Sequence, residues 1–242
     1  EALNVNTSGK VWEFSPDGKT LIQPLTSVKG LGDSAIDQIF AGRPFNTIED
    51  FLFNEEMVYS KLNKKALDVL VRSHALDVLK DDRFSGSKHF WTYVAVERPR
   101  KEKDLLENID KYHPEGDFST EEKIENLTNL TGVFPMHLVV DDSITDQLRD
   151  LGVPPISNFD PMLGAAWFIP RKVTARQTKN GKTYWVVEVI DENNVLSHIK
   201  CWGVRPGKDH IHLNRAYMAR LDHSDQWGFS SRSISRFFRM LG

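Results

Sequence analysis

Val28-Lys29-Gly30-Leu31-Gly32, followed by Asp33-Ser34-Ala35-Ile36-Asp37-Gln38-Ile39, is the stretch that decides how this chain folds. Two glycines flank a leucine, and an amphipathic run begins immediately behind them. Glycine permits positive φ and the close approach of another backbone. A helix start carries unpaired N–H groups and the positive end of the helix dipole. Together these let a phosphate dock on the main chain without any side chain being specified. The pentapeptide alone fits equally well a glycine-rich turn between two packed helices, so its surroundings must decide.

Those surroundings form an ordered series: Leu21-Ile22-Gln23-Pro24-Leu25-Thr26-Ser27, then Arg43-Pro44-Phe45-Asn46-Thr47-Ile48-Glu49-Asp50-Phe51, then Asn63-Lys64-Lys65-Ala66-Leu67-Asp68-Val69-Leu70-Val71 and Ala75-Leu76-Asp77. The series resembles the C-terminal half of C-family replicative DNA polymerases, the family of the DNA polymerase III alpha subunit. There a tandem helix-hairpin-helix, which grips a DNA backbone irrespective of sequence, precedes an oligonucleotide-binding (OB) barrel. The likeness is good over roughly residues 4–80, moderate over roughly 164–204 and thin elsewhere. It implies that Lys29, Gly30, Leu31, Gly32, Asp33 and Ser34 hold a duplex DNA backbone. Pro24 and His74 stand where the family usually has glycine, which points to a divergent, phage-type version. The first hairpin is therefore expected to hold DNA and the second to be structural.

Composition sets the frame. The chain has 242 residues, 40% of them apolar and 27% charged, which is ordinary globular composition with room for two small domains. It has no run of 18 apolar residues and no signal-like start, so a cytoplasmic protein is expected, nucleoid-associated or in an infected host's cytoplasm, with no membrane partner. The start at Glu1 rather than Met suggests a piece of something longer. One cysteine, Cys201, excludes a disulfide framework and reads as a small buried residue. The net charge of −3 hides an asymmetry. Residues 161–242 carry 13 Lys+Arg against 6 Asp+Glu, and residues 1–160 carry 18 against 28. The basic part is the part that looks like a nucleic-acid barrel.

The fold class expected is multidomain α+β. Residues 1–20 form the tail of a preceding domain, with a short hairpin around Ser15-Pro16-Asp17-Gly18-Lys19. Residues 21–96 form the tandem helix-hairpin-helix, 97–160 a helical linker region, and 161–242 an OB fold with a C-terminal basic helix. Helices are predicted at 33–42, 47–57 and 62–72, the second behind a cap at Asn46/Thr47. Further helices are predicted at 83–96, at 119–131 with a capping box at Ser119-Thr120-Glu121-Glu122, and at 142–151. The charged stretch 97–103 and the segment 113–116 read as linker.

In the last domain, Trp167 to Arg176, Tyr184 to Ile190 and Val195 to Trp202 alternate like strands, and Asn180-Gly181 is a strong hairpin signal. The spacing resembles the first three strands of an OB fold, whose face binds oligonucleotides by stacking and by backbone charge. Arg176, Lys179, Lys182, Tyr184 and Trp202 are the candidate contacts with single-stranded DNA. Alternation also places half of these aromatics in a core.

Two lesser features stand open. His210 and His212 alternate but lack a third ligand nearby, so a metal site is weakly supported. Arg232, Arg236 and Arg239 would share a helical face and could track phosphates, or simply be solvated. Catalytic signals are missing: there is no Asp-x-Asp pair for two-metal phosphoryl transfer, no phosphate loop and no Ser/His/Asp constellation. No cofactor is therefore expected in this segment, and Mg2+ belongs with the catalytic domain that the resemblance places elsewhere in the polymerase. The expected partners are duplex DNA, single-stranded DNA, the rest of the polymerase and other replisome proteins. A stand-alone accessory factor and a protein-docking scaffold remain as other classes.

Overall fold

A computed structural model describes residues 2–111 and 113–242, which form two compact units, Glu1–Phe134 and Pro135–Gly242. The first opens with a two-stranded hairpin, β1 (Glu13–Phe14) paired with β2 (Leu21–Ile22). A short 3-10 turn, Leu25–Ser27, then leads through the glycine turn into α1 (Asp33–Gly42). Next come α2 (Ile48–Phe53), behind the expected cap at Thr47, and α3 (Lys64–Arg72), which Asn63 caps. The Thr47 hydroxyl accepts from the Asp50 N–H at 3.1 Å, and the Asn63 carboxamide accepts from Ala66 N–H at 3.0 Å. Helix α2 is shorter than the sequence suggests, because Asn54 leaves helical geometry and its side chain accepts from the Glu56 N–H, turning the chain out.

The helix expected from residue 83 begins only at Ser87. Asp81 bonds the backbone of Arg83 and Phe84 into a turn first. From there α4 (Ser87–Trp91) runs on into a π-helical turn, Thr92–Glu97. Helices α5 (Glu102–Asn108) and α6 (Thr120–Thr131) complete the unit, the latter with both bonds of the Ser119/Glu122 capping box and a left-handed Gly132 as its stop.

Two expected boundaries move. Residues before 20 are no separate tail: Leu3 and Val5 lie in the same core as Leu67 and Leu70, and the Val5 N–H donates to Ala75 C=O. Nor is the stretch after 97 a linker, since Leu105, Ile109 and Leu130 belong to that core as well. The many charges of 97–125 conceal a thin apolar stripe, and it is the stripe that decides burial.

The second unit opens with a short 3-10 turn, Met136–Leu138, followed by α7 (Asp142–Leu151), capped by Asp141 and stopped by left-handed Gly152. Its body is a curled sheet of seven strands: β3 (Ala165–Gln177), β4 (Thr183–Ile190), β5 (Ser197–Cys201), β6 (Tyr217–Arg220), β7 (Asp222–Ser224), β8 (Gly228–Ser231) and β9 (Phe238–Met240). Their order is β7-β8-β5-β4-β3-β6-β9, with β5 and β8 parallel and the other pairs antiparallel. Leu221 alone separates β6, which pairs with β3, from β7, which pairs with β8. This arrangement is compatible with an OB-like fold. The inner face packs Phe168, Val187, Val189, Ile199 and Cys201 around Tyr217 and Leu221. Burial pushes the Cys201 thiol up to about 12, which leaves it an unreactive core residue.

The basic C-terminal helix is also corrected. Only one turn, α8 (Ile234–Phe237), is helical, and the chain then becomes β9, pairing Phe238 with Ala219 and Arg239 with Met218. The free edge of β6 takes up backbone bonds that a short exposed helix would leave to water. Arg239 therefore does not share a helical face with Arg232 and Arg236.

Candidate nucleic-acid interfaces

In the first unit the turn at 28–32 is fixed from below. Val28 and Leu31 are buried in the core, and the Lys29 N–H donates to Leu130 C=O at 2.8 Å. Gly30 sits at φ +89°, where a side chain would be strained. Gly32 is extended, caps α1 and has open space around it. The Leu31 N–H is taken by Val28 C=O at 3.2 Å. By contrast, the amides of Gly30, Gly32, Asp33 and Ser34 have no acceptor among the described residues, and all four residues are exposed. Four free donors at the start of a ten-residue helix are what an anion requires.

Leu31 thus departs from its expected place among the contacts. Its side chain anchors the turn and its amide is already used. Lys29 is exposed beside the free amides and offers its ammonium rather than its N–H. The fold adds a residue that the sequence reading missed: the Cε of Lys65, from the first turn of α3, lies 3.6 Å from where a Gly30 Cβ would stand. Asn63-Lys64-Lys65 reads in sequence as a helix start, so only tertiary packing reveals this second cation.

At 73–77 the corresponding turn closes α3. His74 takes the left-handed conformation, φ +64°, in place of glycine. Its N–H donates to Val71 C=O and that of Ala75 to Leu70 C=O, both at 3.0 Å, which is the Schellman pattern. The Ser73 and Asp77 amides are also bonded, to Val69 and His74 carbonyls. His74 Nδ1 lies 2.6 Å from an Asp77 carboxylate oxygen. The donors of this turn are consumed inside the protein.

In the second unit the register aligns the expected residues. Tyr184 faces Arg176 across β3 and β4, and one step along the same register sets it beside Trp202. The two rings stack with centroids 4.6 Å apart and planes 26° from parallel. They form one platform, with Arg176 in the same row. Lys179 and Lys182 flank this row on an exposed turn, closed by a bond from the Gly181 N–H to Thr178 C=O at 2.9 Å. None of Arg176, Lys179 and Lys182 has an ion-pair partner among the described residues, whereas Lys172 on the same face lies 3.6 Å from Glu188.

Trp227 is the aromatic that the sequence reading passed over. It sits 65% exposed in the turn between β7 and β8, with the Lys200 ammonium 5.2 Å from its ring centroid and bonded to its carbonyl at 3.1 Å. Lys200 follows one pair along the same outer face, opposite Val186. An exposed tryptophan before a glycine in Ser224-Asp225-Gln226-Trp227-Gly228 was the available signal.

Among the described residues no group of three or more His, Cys, Asp or Glu side chains is placed to hold a metal ion, and no helix is long and apolar enough to cross a membrane. No curated protein matches the chain. Residues 1–85 match the family described as a helix-hairpin-helix motif, which supports a DNA-binding helix-hairpin-helix region at this end of the chain.

Proposed function

We propose that this chain is a non-catalytic DNA-binding segment of a C-family replicative DNA polymerase, in which the first hairpin holds the primer-template duplex and the OB-like face guides single-stranded template. The observation that carries the reading is the set of four unbonded amides at Gly30, Gly32, Asp33 and Ser34 beside Lys29 and Lys65. Main-chain donors and ammonium groups recognise phosphate and ignore base sequence, as a polymerase that must travel along any template requires. The single-strand role is supported by the Tyr184/Trp202 platform with Arg176, Lys179 and Lys182 around it, since aromatic stacking tolerates every base and is worth roughly 1–3 kcal/mol per base. The polymerase context draws on the ordered motif series from Leu21 to Asp77. Mg2+ and the catalytic carboxylates would then belong to another part of that enzyme.

A further feature favours a protein partner on the first unit. Phe14 and Leu21 are exposed cross-strand partners on the β1–β2 hairpin, and Val11 and Trp12 are exposed just before it, apolar surface suited to the remainder of the polymerase or to another replisome protein.

Fluorescence anisotropy with a duplex, a single strand and a primer-template junction at two salt concentrations tests the division of labour. The expected result is salt-sensitive binding to all three. Gly32→Asp should lose duplex affinity, and Lys179→Glu/Lys182→Glu should lose single-strand affinity. Absence of binding to any probe would overturn the reading and leave protein docking as the better account.

A further inference from the structure

The loop between α2 and α3 and the segment following the π-helical turn line a cleft of about 390 Å3 in the first unit. Its walls include Phe53, Met57, Tyr59, Arg98, Arg100 and Lys101, with Glu102 as the one carboxylate among them. Arg98 is unusual there. It is only 5% exposed, adopts a left-handed backbone at φ +48°, and lays its guanidinium 3.4 Å over the centroid of the Tyr59 ring. One terminal nitrogen, Nη2, donates to Leu62 C=O at 2.6 Å, but the buried Nε–H has no acceptor. Among the described residues Arg98, Arg100 and Lys101 have no ion-pair partner. Arg100 lies 5.4 Å from the same ring centroid. Burial holds the Arg98 pKa below its ordinary value; Tyr59 opposes this effect and Arg100 adds to it.

A cation removed from water needs a counter-charge and acceptors for its protons, and the protein supplies Arg98 with one carbonyl and one aromatic face. We propose that this cleft is a binding site for a phosphate group, with the exposed Arg100 and Lys101 as donors and the buried Arg98 guanidinium, held in position by Tyr59, as the fixed positive charge in its wall. Three cations line this cleft against one carboxylate, Glu102, while Glu49, Asp50, Glu55 and Glu56 line the adjoining pocket on the far side of Phe53 and Asn54. Phe53 and Met57 give it an apolar side that a phosphate ester would cover and a bare ion would not. The phosphate comes either from a free nucleotide-sized ester or from a nucleic-acid strand, and the site does not depend on the hairpin binding DNA.

The Arg98 Nε–H is a reporter in 15N NMR of the full chain, titrated at constant ionic strength with inorganic phosphate, AMP or duplex DNA, and with chloride as control. A saturable shift of that resonance with phosphate or AMP supports a free-ester site. A shift with duplex alone supports a strand phosphate. Arg100→Ala/Lys101→Ala removes exposed side chains, so the protein should stay folded while the affinity falls roughly tenfold. An Arg98 Nε–H that ignores all three probes, or moves equally with chloride, overturns the proposal. Because phosphate and AMP do not need the hairpin, a failure here is separable from a failure of DNA binding.

Discussion

The turns at 28–32 and 73–77 use the same backbone device at opposite ends of a helix, and they dispose of their donors in opposite ways. Each places one residue in the left-handed region, Gly30 at φ +89° and His74 at φ +64°. The first turn stands before α1, where the leading amides of a helix have no carbonyl to bond. The second stands after α3, where the amides fold back onto the last carbonyls of that helix. A left-handed residue therefore marks a turn but not a binding site. What separates a turn with free donors from one whose donors are spent is which end of the helix it serves.

This contrast can be broken at several points. The largest effect is expected from Gly32→Asp. The new carboxylate can cap the free amides of α1, raising stability by a few tenths of a kcal/mol, yet it occupies the phosphate position and should cost at least about tenfold in duplex affinity. Denaturant titration beside anisotropy would show opposite signs for the two quantities; parallel losses would mean that the turn is structural only. Lys65→Ala comes next. It should weaken duplex binding several-fold and reduce the slope of log K against log salt by about 0.9, the value for one phosphate contact. An unchanged slope would remove Lys65 from the interface.

His74→Gly sharpens the other side of the comparison. Glycine relieves the left-handed strain at this position while giving up the contact with Asp77, so stability should rise by no more than about 1 kcal/mol with duplex affinity unchanged. Loss of DNA binding in this variant would contradict the asymmetry. The smallest effect concerns acid. Arg83 bonds both Glu49 and Asp81 and holds their carboxyl groups below the ordinary carboxylate range. Depressed folded-state pKa values give stability that is present above the unfolded carboxylate range and is lost as pH falls through the folded values. Both pairs are partly exposed to solvent, so the contribution is under about 1 kcal/mol. Arg83→Gln should flatten the acid limb of the stability curve near pH 4 without altering duplex affinity at pH 7.

Much of this was legible in the sequence because it depends on local chemistry. Helices α1, α6 and α7 fall within one residue of the predicted 33–42, 119–131 and 142–151, the second behind the Ser119/Glu122 box. The Arg176–Tyr184–Trp202 row follows from strand alternation once Asn180-Gly181 fixes the turn. What the sequence could not carry is tertiary. Lys65 reaches Gly30 only because α3 packs beneath the turn. Arg98 lies in so charged a stretch that it reads as solvated linker, and its burial comes from Tyr59 and Leu62 across the chain. The C-terminal arginines suggest a helix by spacing, but the unpaired edge of β6 takes the segment as a strand.

The account is tested most directly by following backbone amide resonances in 15N NMR as duplex DNA is added to the full chain. Large shifts at Gly30, Gly32, Asp33 and Ser34, with Ser73, His74, Ala75 and Asp77 unmoved, are the predicted result. Binding that leaves the first set in place, or shifts the second set equally, would contradict the claim that the free amides of the first hairpin hold the DNA backbone.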